Sequence, residues 1–331
     1  MFEELNGEFA LQLSKLLARE LDNTDYLAQI GSVYSGVMSG DKVGILSRGT
    51  FRNAIAASCN PAWTEAATPT KDTWALANFM IPASFCYDNF IAEIKRYQQL
   101  YTLDGNSAAQ KWITDYMKNA FNESVIAKGL FGSTVSGDYT SVGFGGINGI
   151  LTIAMNVIAD GASARQTTIA TNTKAALRTG TTALDALTSM IADAPIDVKA
   201  SKNAVIIMNQ AFYDALAINL INNKGFNIES QWTALSTGLK IATIWNYKVV
   251  IVPMMDRVMA SMVSGDKFFG KAGVALFTST DNILFGSSSN EVAGVGNVDV
   301  FDDKPNQMTK AIVKYSLGAL IADETQFQLA I

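Results

Sequence analysis

The stretch on which the fold turns is Lys202-Asn203-Ala204-Val205-Ile206-Ile207-Met208-Asn209-Gln210-Ala211-Phe212-Tyr213-Asp214-Ala215-Leu216. Residues 204–208 are five apolar residues in a row, β-branched at three positions, with polar residues on both sides. That length and composition predict a buried strand. Asn209 stands where a helix cap belongs. Phe212, Leu216 and Leu220 then recur every four residues, and the helix they predict stops at Asn223-Lys224-Gly225. Further on, residues 239–252 predict two short strands about a turn at Trp245-Asn246, and Asn tolerates the left-handed backbone such a turn needs.

Working toward the N-terminus, Thr182 opens a helix carrying Leu184, Leu187, Met190 and Ile191, stopped near Pro195. Before it lies a Gly-rich run, 131–149. It lacks the preceding strand and the Lys-Ser/Thr of a phosphate loop, so a tight surface loop is expected. Ser107-Ala108-Ala109-Gln110 has the form of a capping box. The helix it opens carries Ile113, Tyr116, Met117, Ala120 and Phe121 and closes at Gly129, spanning about 21 residues or roughly 31 Å. Phe90, Ile94, Tyr97 and Tyr101 mark one face of the helix before it.

Residues 41–85 differ in kind. They hold Pro61, Pro69 and Pro82, half of the six prolines, and little alternating apolar content. Two extended arms around an irregular tip are predicted, a hairpin that cannot form a core of its own. Residues 8–21 predict an amphipathic helix through Phe9, Leu13, Leu16, Leu17 and Leu21. Toward the C-terminus, strands are expected at 273–278, at 283–285 and within 308–331. No structural repeat is visible. The order of elements predicts an α+β fold rather than a regular βαβ alternation.

Composition removes much chemistry. The 331 residues include no His, so Ser-His-Asp catalysis, His metal ligation and imidazole proton transfer are excluded. Two Cys, Cys59 and Cys86, make neither a disulfide framework nor a four-Cys zinc site, and are expected as inert thiols. No cofactor is implied. A net charge of -5 argues against a protein held on nucleic acid by phosphate contacts. Residues 1–40 carry net -4 and 201–260 net +2, so the N-terminal arm is acidic; it is either a solvated tail or docks on another copy. The N-terminus lacks a basic region followed by an apolar core, so no secretory signal is expected. With no uncharged apolar run of 18 residues, neither is a membrane-spanning helix. Only 17% of residues are charged and 49% are hydrophobic, more buryable surface than a free globule needs.

The strand, Asn turn and helix of 202–216 resemble those of tailed-phage major capsid proteins. The stretch Leu239 to Met255 resembles the next signature of that family, with Asn246 where many members have Gly. The Gly-rich 265–286 stretch and the strand from Lys310-Ala311 to Leu317-Gly318-Ala319-Leu320, ending in Phe327, follow in the family's order. The resemblance implies the Hong Kong 97-type capsid fold. Residues 1–40 would be its N-terminal arm and 41–85 its extended E-loop hairpin. A peripheral domain would fill 86–150, with the spine helix at 107–128. Residues 151–285 would be mainly the axial domain, and 286–331 the strands returning to the peripheral domain. No scaffolding-like domain of about a hundred residues is visible.

The function implied is a major capsid protein. It would self-assemble as hexamers and pentamers of an icosahedral shell around double-stranded DNA, enclosed without specific binding. Scaffolding, portal and decoration proteins would be its other partners. The virion is its expected location, after synthesis in the bacterial cytoplasm. An encapsulin-like compartment shell shares the fold and is the related alternative. Trp63 and Trp74 in the hairpin, with Phe9, Leu13 and Leu16 in the arm, are the expected contacts between subunits.

The rival class is an enzyme without His, working by a Ser-Lys or carboxylate mechanism. Ser39-Gly40-Asp41-Lys42 and Ser264-Gly265-Asp266-Lys267 match Ser-x-x-Lys, but Gly-Asp in the middle predicts solvated turns, not the helical turn the motif needs. Asp299-Val300-Phe301-Asp302-Asp303 lacks the spacing of a calcium loop and is expected to be a solvated acidic loop with no metal. The methionines 254, 255, 259 and 262 are expected in a core or an interface.

Overall fold

The computed structural model describes residues 13, 15, 27–46, 69–140, 143–224, 233–234, 239–288, 295–303 and 308–331. The apolar run 204–208 forms β6 (Ala204–Asn209), buried on both faces. Strand alternation sorts its side chains: Val205 and Ile207 enter one core, Ala204, Ile206 and Met208 another. β9 (Tyr247–Val252) lies parallel beside it and β10 (Ala275–Ser279) antiparallel on the other side. β14 (Phe327–Ala330) and β5 (Gln166–Thr167) extend the sheet beyond β10. β8 (Lys240–Ile244) and β7 (Thr233–Ala234) extend it beyond β9, for seven strands in all. The turn at Trp245 and Asn246, with φ of 47° and 69°, joins β8 to β9 as the sequence predicts.

One face of this sheet is covered by α4 (Lys174–Arg178), α5 (Thr182–Asp193), α6 (Ile196–Ala200) and α7 (Gln210–Lys224). Leu177, Leu187, Met190, Val198, Phe212 and Leu216 close that core. The other face shares the larger core with α2 (Gly105–Phe131), α3 (Ile150–Ala159) and a second sheet. The spine of that second sheet is β13 (Met308–Ile321). β4 (Ala77–Cys86) and β12 (Val295–Asp303) flank its first part, and β11 (Ile283–Gly286) pairs with Gly318–Ile321. β1 (Ser32–Tyr34) lies parallel to β11. Because β11 and β13 serve this sheet while β10 and β14 serve the other, the C-terminal stretch stitches the two together.

The structure corrects several expectations. α2 has 27 residues, about 40 Å, and starts earlier than the capping-box reading. Its cap is Asp104, whose carboxylate accepts the Ser107 amide at 2.7 Å. Gly129 is not a C-cap but lies inside the helix. Its missing Cβ admits the Phe285 ring, which would sit 3.3 Å from a Cβ there. The expected second arm of the hairpin breaks after β3 (Pro69–Thr73), because β4 joins β13 instead. Phe79, Ile81 and Ala83 pack on the core there, while outward-facing Met80 and Pro82 disguise the alternation in the sequence. The expected acidic loop at 299–303 is strand β12, with Val298 turned into the core opposite Val313. α1 (Tyr87–Tyr101) and α8 (Pro253–Ala260) complete the set; α8 begins at Pro253, as proline favours at a first helical position. α3 follows directly on the Gly-rich run, and Ile150, Leu151, Ala154 and Ile158 carry its helical period.

Asn209 is fully buried, but it does not cap α7. Its Nδ2 donates to Asp256 Oδ1 at 2.6 Å and to the Ala272 carbonyl at 2.8 Å, and its Oδ1 accepts the Val274 amide at 3.0 Å. The cap of α7 comes from α8, where Asp256 Oδ2 accepts the Ala211 amide at 3.1 Å. Burial raises the pKa of Asp256 above the ordinary Asp range, opposed by the hydrogen bonds from Asn209 and the α7 backbone. Asp256→Ala is therefore expected to cost about 2 kcal/mol, the sum of a lost cap and an orphaned amide. Denaturant unfolding followed by circular dichroism measures it, with Lys271→Ala expected to change stability little.

Candidate assembly surfaces

The polar residues of this chain first serve its own loops. Asn172 accepts the Ala272 and Gly273 amides and donates to the Gly273 carbonyl. Asn219 accepts the Ala183 and Leu184 amides at the start of α5, and Asn282 donates to the Asp323 and Gln326 carbonyls. Uncharged amides satisfy buried backbone without the desolvation cost of an ion, which explains part of the low charge count.

The Gly-rich run is less a surface loop than a clasp. Phe144 and Ile147 are buried, and a Cβ on Gly149 would lie 2.4 Å from the Leu130 carbonyl carbon. Asp266 is buried rather than solvated, and accepts from the Thr140 amide and hydroxyl and the Val263 amide. Lys267 Nζ reaches Asp138 at 3.2 Å and Asn156 at 2.7 Å, which takes up the amine of that Ser-x-x-Lys match. Burial alone would raise the pKa of Asp138, but the Ser133 hydroxyl and Lys267 hold it below the ordinary range. Lys128 donates to the Gly145 carbonyl and lies 4.6 Å from the centre of the Phe79 ring, and its desolvation lowers its pKa. The turn at 39–42 has the form expected, with Gly40 at φ 94° and Asp41 accepting the Met38 amide.

Of the expected contact residues, Trp74 is corrected. It is 5% exposed and packs in its own chain against Leu284 and Leu320, over Gly286 and Gly318. Leu13 is likewise fully buried in the larger core. Phe9, Leu16 and Trp63 lie outside the described residues, as does Cys59; Cys86 is a free thiol. Trp74 has a different task. Its amide donates to the Asp41 carbonyl and its carbonyl accepts the Gly40 amide, so it fixes the root of a two-stranded ribbon. That ribbon pairs β2 (Lys42–Leu46) with β3 in the register Lys42↔Thr73 to Leu46↔Pro69, and belongs to neither large sheet.

Beside that root runs a groove of about 820 Å³. Its floor is apolar, from Ile153 and Val157 of α3 and Leu320 of β13. Asp72, Asp160 and Glu324 stand around it against one base, Arg165. Several large apolar side chains outside the cores are 43–57% exposed: Met80 and Phe301 on the second sheet, Val263 and Phe269 in the 261–272 loop, and Trp245 in its turn. Only composition hinted at these surfaces; the sequence does not place them. Trp245 holds left-handed backbone that a bulky residue resists. Trp245→Asn is expected to raise unfolding stability by about 0.5–1 kcal/mol, read by thermal melting, since Asn suits a two-residue hairpin turn.

Among the described residues, no group of three or more His, Cys, Asp or Glu is placed to hold a metal, and no helix is long and apolar enough to cross a membrane. No family model matches the chain, and no curated protein does. Solved structures do. The satellite phage P4 procapsid with its size determination (Sid) protein aligns with 100% of this chain and 92% of its own, at 12% identity and a TM-score of 0.52. A chain of Mycobacterium phage Ogopogo aligns over 92% and 91%, at 12% identity and 0.52. The capsid of the empty GTA particle aligns over 93% and 89%, at 17% identity and 0.51. A match that spans most of both chains is a match of architecture. The chain has the tailed-phage capsid fold, the α+β architecture of Hong Kong 97 type that the 202–216 stretch implies.

Proposed function

We propose that this chain is the major capsid protein of a tailed bacterial virus, assembling as hexamers and pentamers of an icosahedral shell around double-stranded DNA. The observation that carries the reading is the β2–β3 ribbon, which stands on a capsid fold yet pairs with neither of the chain's own sheets. A two-stranded ribbon is marginal in water and gains its stability by lying on another surface. A neighbouring copy supplies that surface. Residues 1–40 act as the arm, the ribbon within 41–85 as the E-loop, 86–150 as the peripheral domain, 151–285 as the axial domain and 286–331 as the return. Scaffolding, portal and decoration proteins are its partners, and the virion is its location after synthesis in the host cytoplasm. Many weak identical contacts add up to a stable shell.

Sedimentation velocity over a concentration series tests the reading. The expected result is a cooperative jump from subunits or capsomers to large particles. A 35.5 kDa species at every concentration and salt would count against it. The net charge of -5 supports DNA held inside without specific binding. Purified subunits are accordingly expected to bind duplex DNA no tighter than the usual non-specific range, about 10⁻⁴–10⁻⁶ M, in a filter-binding assay.

A further inference from the structure

We propose that the groove beside the ribbon root receives an extended, basic and apolar peptide segment of a different protein, which adds as a strand along the open edge of β13 at residues 318–321. The inference goes beyond the shell reading and does not depend on it.

The register of β13 leaves that edge open. Pairing with β12 ends at Tyr315 and pairing with β4 at Leu317. Over Gly318–Ile321 only β11 lies beside β13 among the described residues, so one edge there carries no strand. The chain that would continue β4 backward is turned aside at Trp74, whose amide and carbonyl pair with Asp41 and Gly40 instead. Among the described residues, no backbone hydrogen bond joins 74–76 to 318–321. Ala319, Leu320 and Ile321 line the groove in succession, although neighbouring strand residues face opposite ways. It is therefore the edge of β13, not one face, that borders the groove. Unpaired strand edges take up extended segments through main-chain hydrogen bonds, and the flanking side chains select the sequence.

Here the flanks select for apolar groups and cations together. Ile153 and Val157 of α3 supply apolar surface, and three carboxylates face one guanidinium. Asp160 and Glu324 are both exposed, and no ion pair among the described residues engages either one. A strand that alternates basic and apolar residues offers both chemistries at once. The chain itself carries a net charge of -5, so a second copy brings like charge to this rim, whereas a basic partner brings the opposite charge.

Fluorescence anisotropy on the full-length chain tests it. The probe is a labelled peptide that alternates lysine and valine over about eight residues, a common strand length. Saturable binding in the micromolar range is expected, and no binding of the glutamate–valine counterpart. Asp160→Lys/Glu324→Lys should weaken binding by at least about tenfold. Glu93→Lys/Asp193→Lys changes the net charge equally but away from the groove, and should stay within about twofold of the parent. Both variants are first shown to melt like the parent. Methylating alternate peptide nitrogens removes the N–H donors an edge strand needs, and should also weaken binding at least about tenfold. Equal binding by the groove variant and the parent chain would overturn the proposal. So would equal binding of the methylated and unmethylated peptides, or no binding of the lysine–valine peptide. A parent chain that self-associates, excludes the peptide and loses its association in the groove variant would make the occupant a second copy, and would overturn it too. Shell formation does not enter this readout, so failure here leaves the shell reading standing.

Discussion

Replacing residues 44–71 by Asn-Gly is expected to leave a folded, soluble chain that forms no shells. The replacement joins Val43 to Asp72, partners in the ribbon register, through a two-residue turn suited to that spacing. Among the described residues, both large sheets and both large cores are built without the removed ones, so the unfolding transition should change by no more than about 1 kcal/mol. Assembly should fall below detection, since the ribbon pairs with neither large sheet of its own chain. Static light scattering beside a thermal melt separates the two outcomes. Particles of normal size from the shortened chain would remove the ribbon from the account.

Trp74→Ala is expected to have the largest effect on stability among substitutions near the ribbon. The indole is 5% exposed, sits over two glycines and lies 6.1 Å from the Tyr34 ring, centre to centre. A Cβ on Gly286 would stand 2.7 Å from that indole, so the glycine is there to admit it. Truncating a buried Trp costs about 3–5 kcal/mol, because the transfer term and the cavity term add. Urea unfolding followed by circular dichroism reads the loss. Assembly should weaken as well, because Trp74 fixes the root of the ribbon. A cost within experimental error would mean that Trp74 faces a neighbour, as the hairpin reading of the sequence expects, and not its own chain.

That reversal shows where sequence legibility ends. The strand at 204–208 was legible because both of its faces are buried, so its composition needs no partner to be interpreted. The turn at 245–246 and the period of the long helix were legible for the same local reason, although both expected ends of that helix were wrong. Trp74 was not. Its neighbours Leu284 and Leu320 are more than two hundred positions away, and nothing local announces them. β4 was misread because Met80 and Pro82 face outward and break the alternation that Phe79 and Ile81 would otherwise declare. β12 was misread because Asp299 and Phe301 face outward beside the inward Val298 and Val300, and the acids hide that alternation. The capping of α7 by Asp256 was hidden too, since a carboxylate on a different helix does the work the sequence assigned to Asn209. The groove is a product of three elements far apart in the chain, so only its charges, not their convergence, could be read in advance.

Low charge and absent His also gain a sharper meaning. Part of the uncharged polar content satisfies loops inside the chain, at Asn172, Asn209, Asn219 and Asn282, each buried. Among the described residues, the surfaces offered to neighbours under the proposed function include the ribbon, the groove and exposed apolar side chains such as Ile196, Phe269 and Trp245.

Electron microscopy of the purified full-length chain under assembly conditions tests the central claim most directly. The account predicts closed icosahedral particles whose reconstruction shows five- and six-fold clusters, with the β2–β3 ribbon of each subunit lying across the next. Monodisperse subunits under every condition, or closed particles in which each ribbon lies on its own chain, would contradict it.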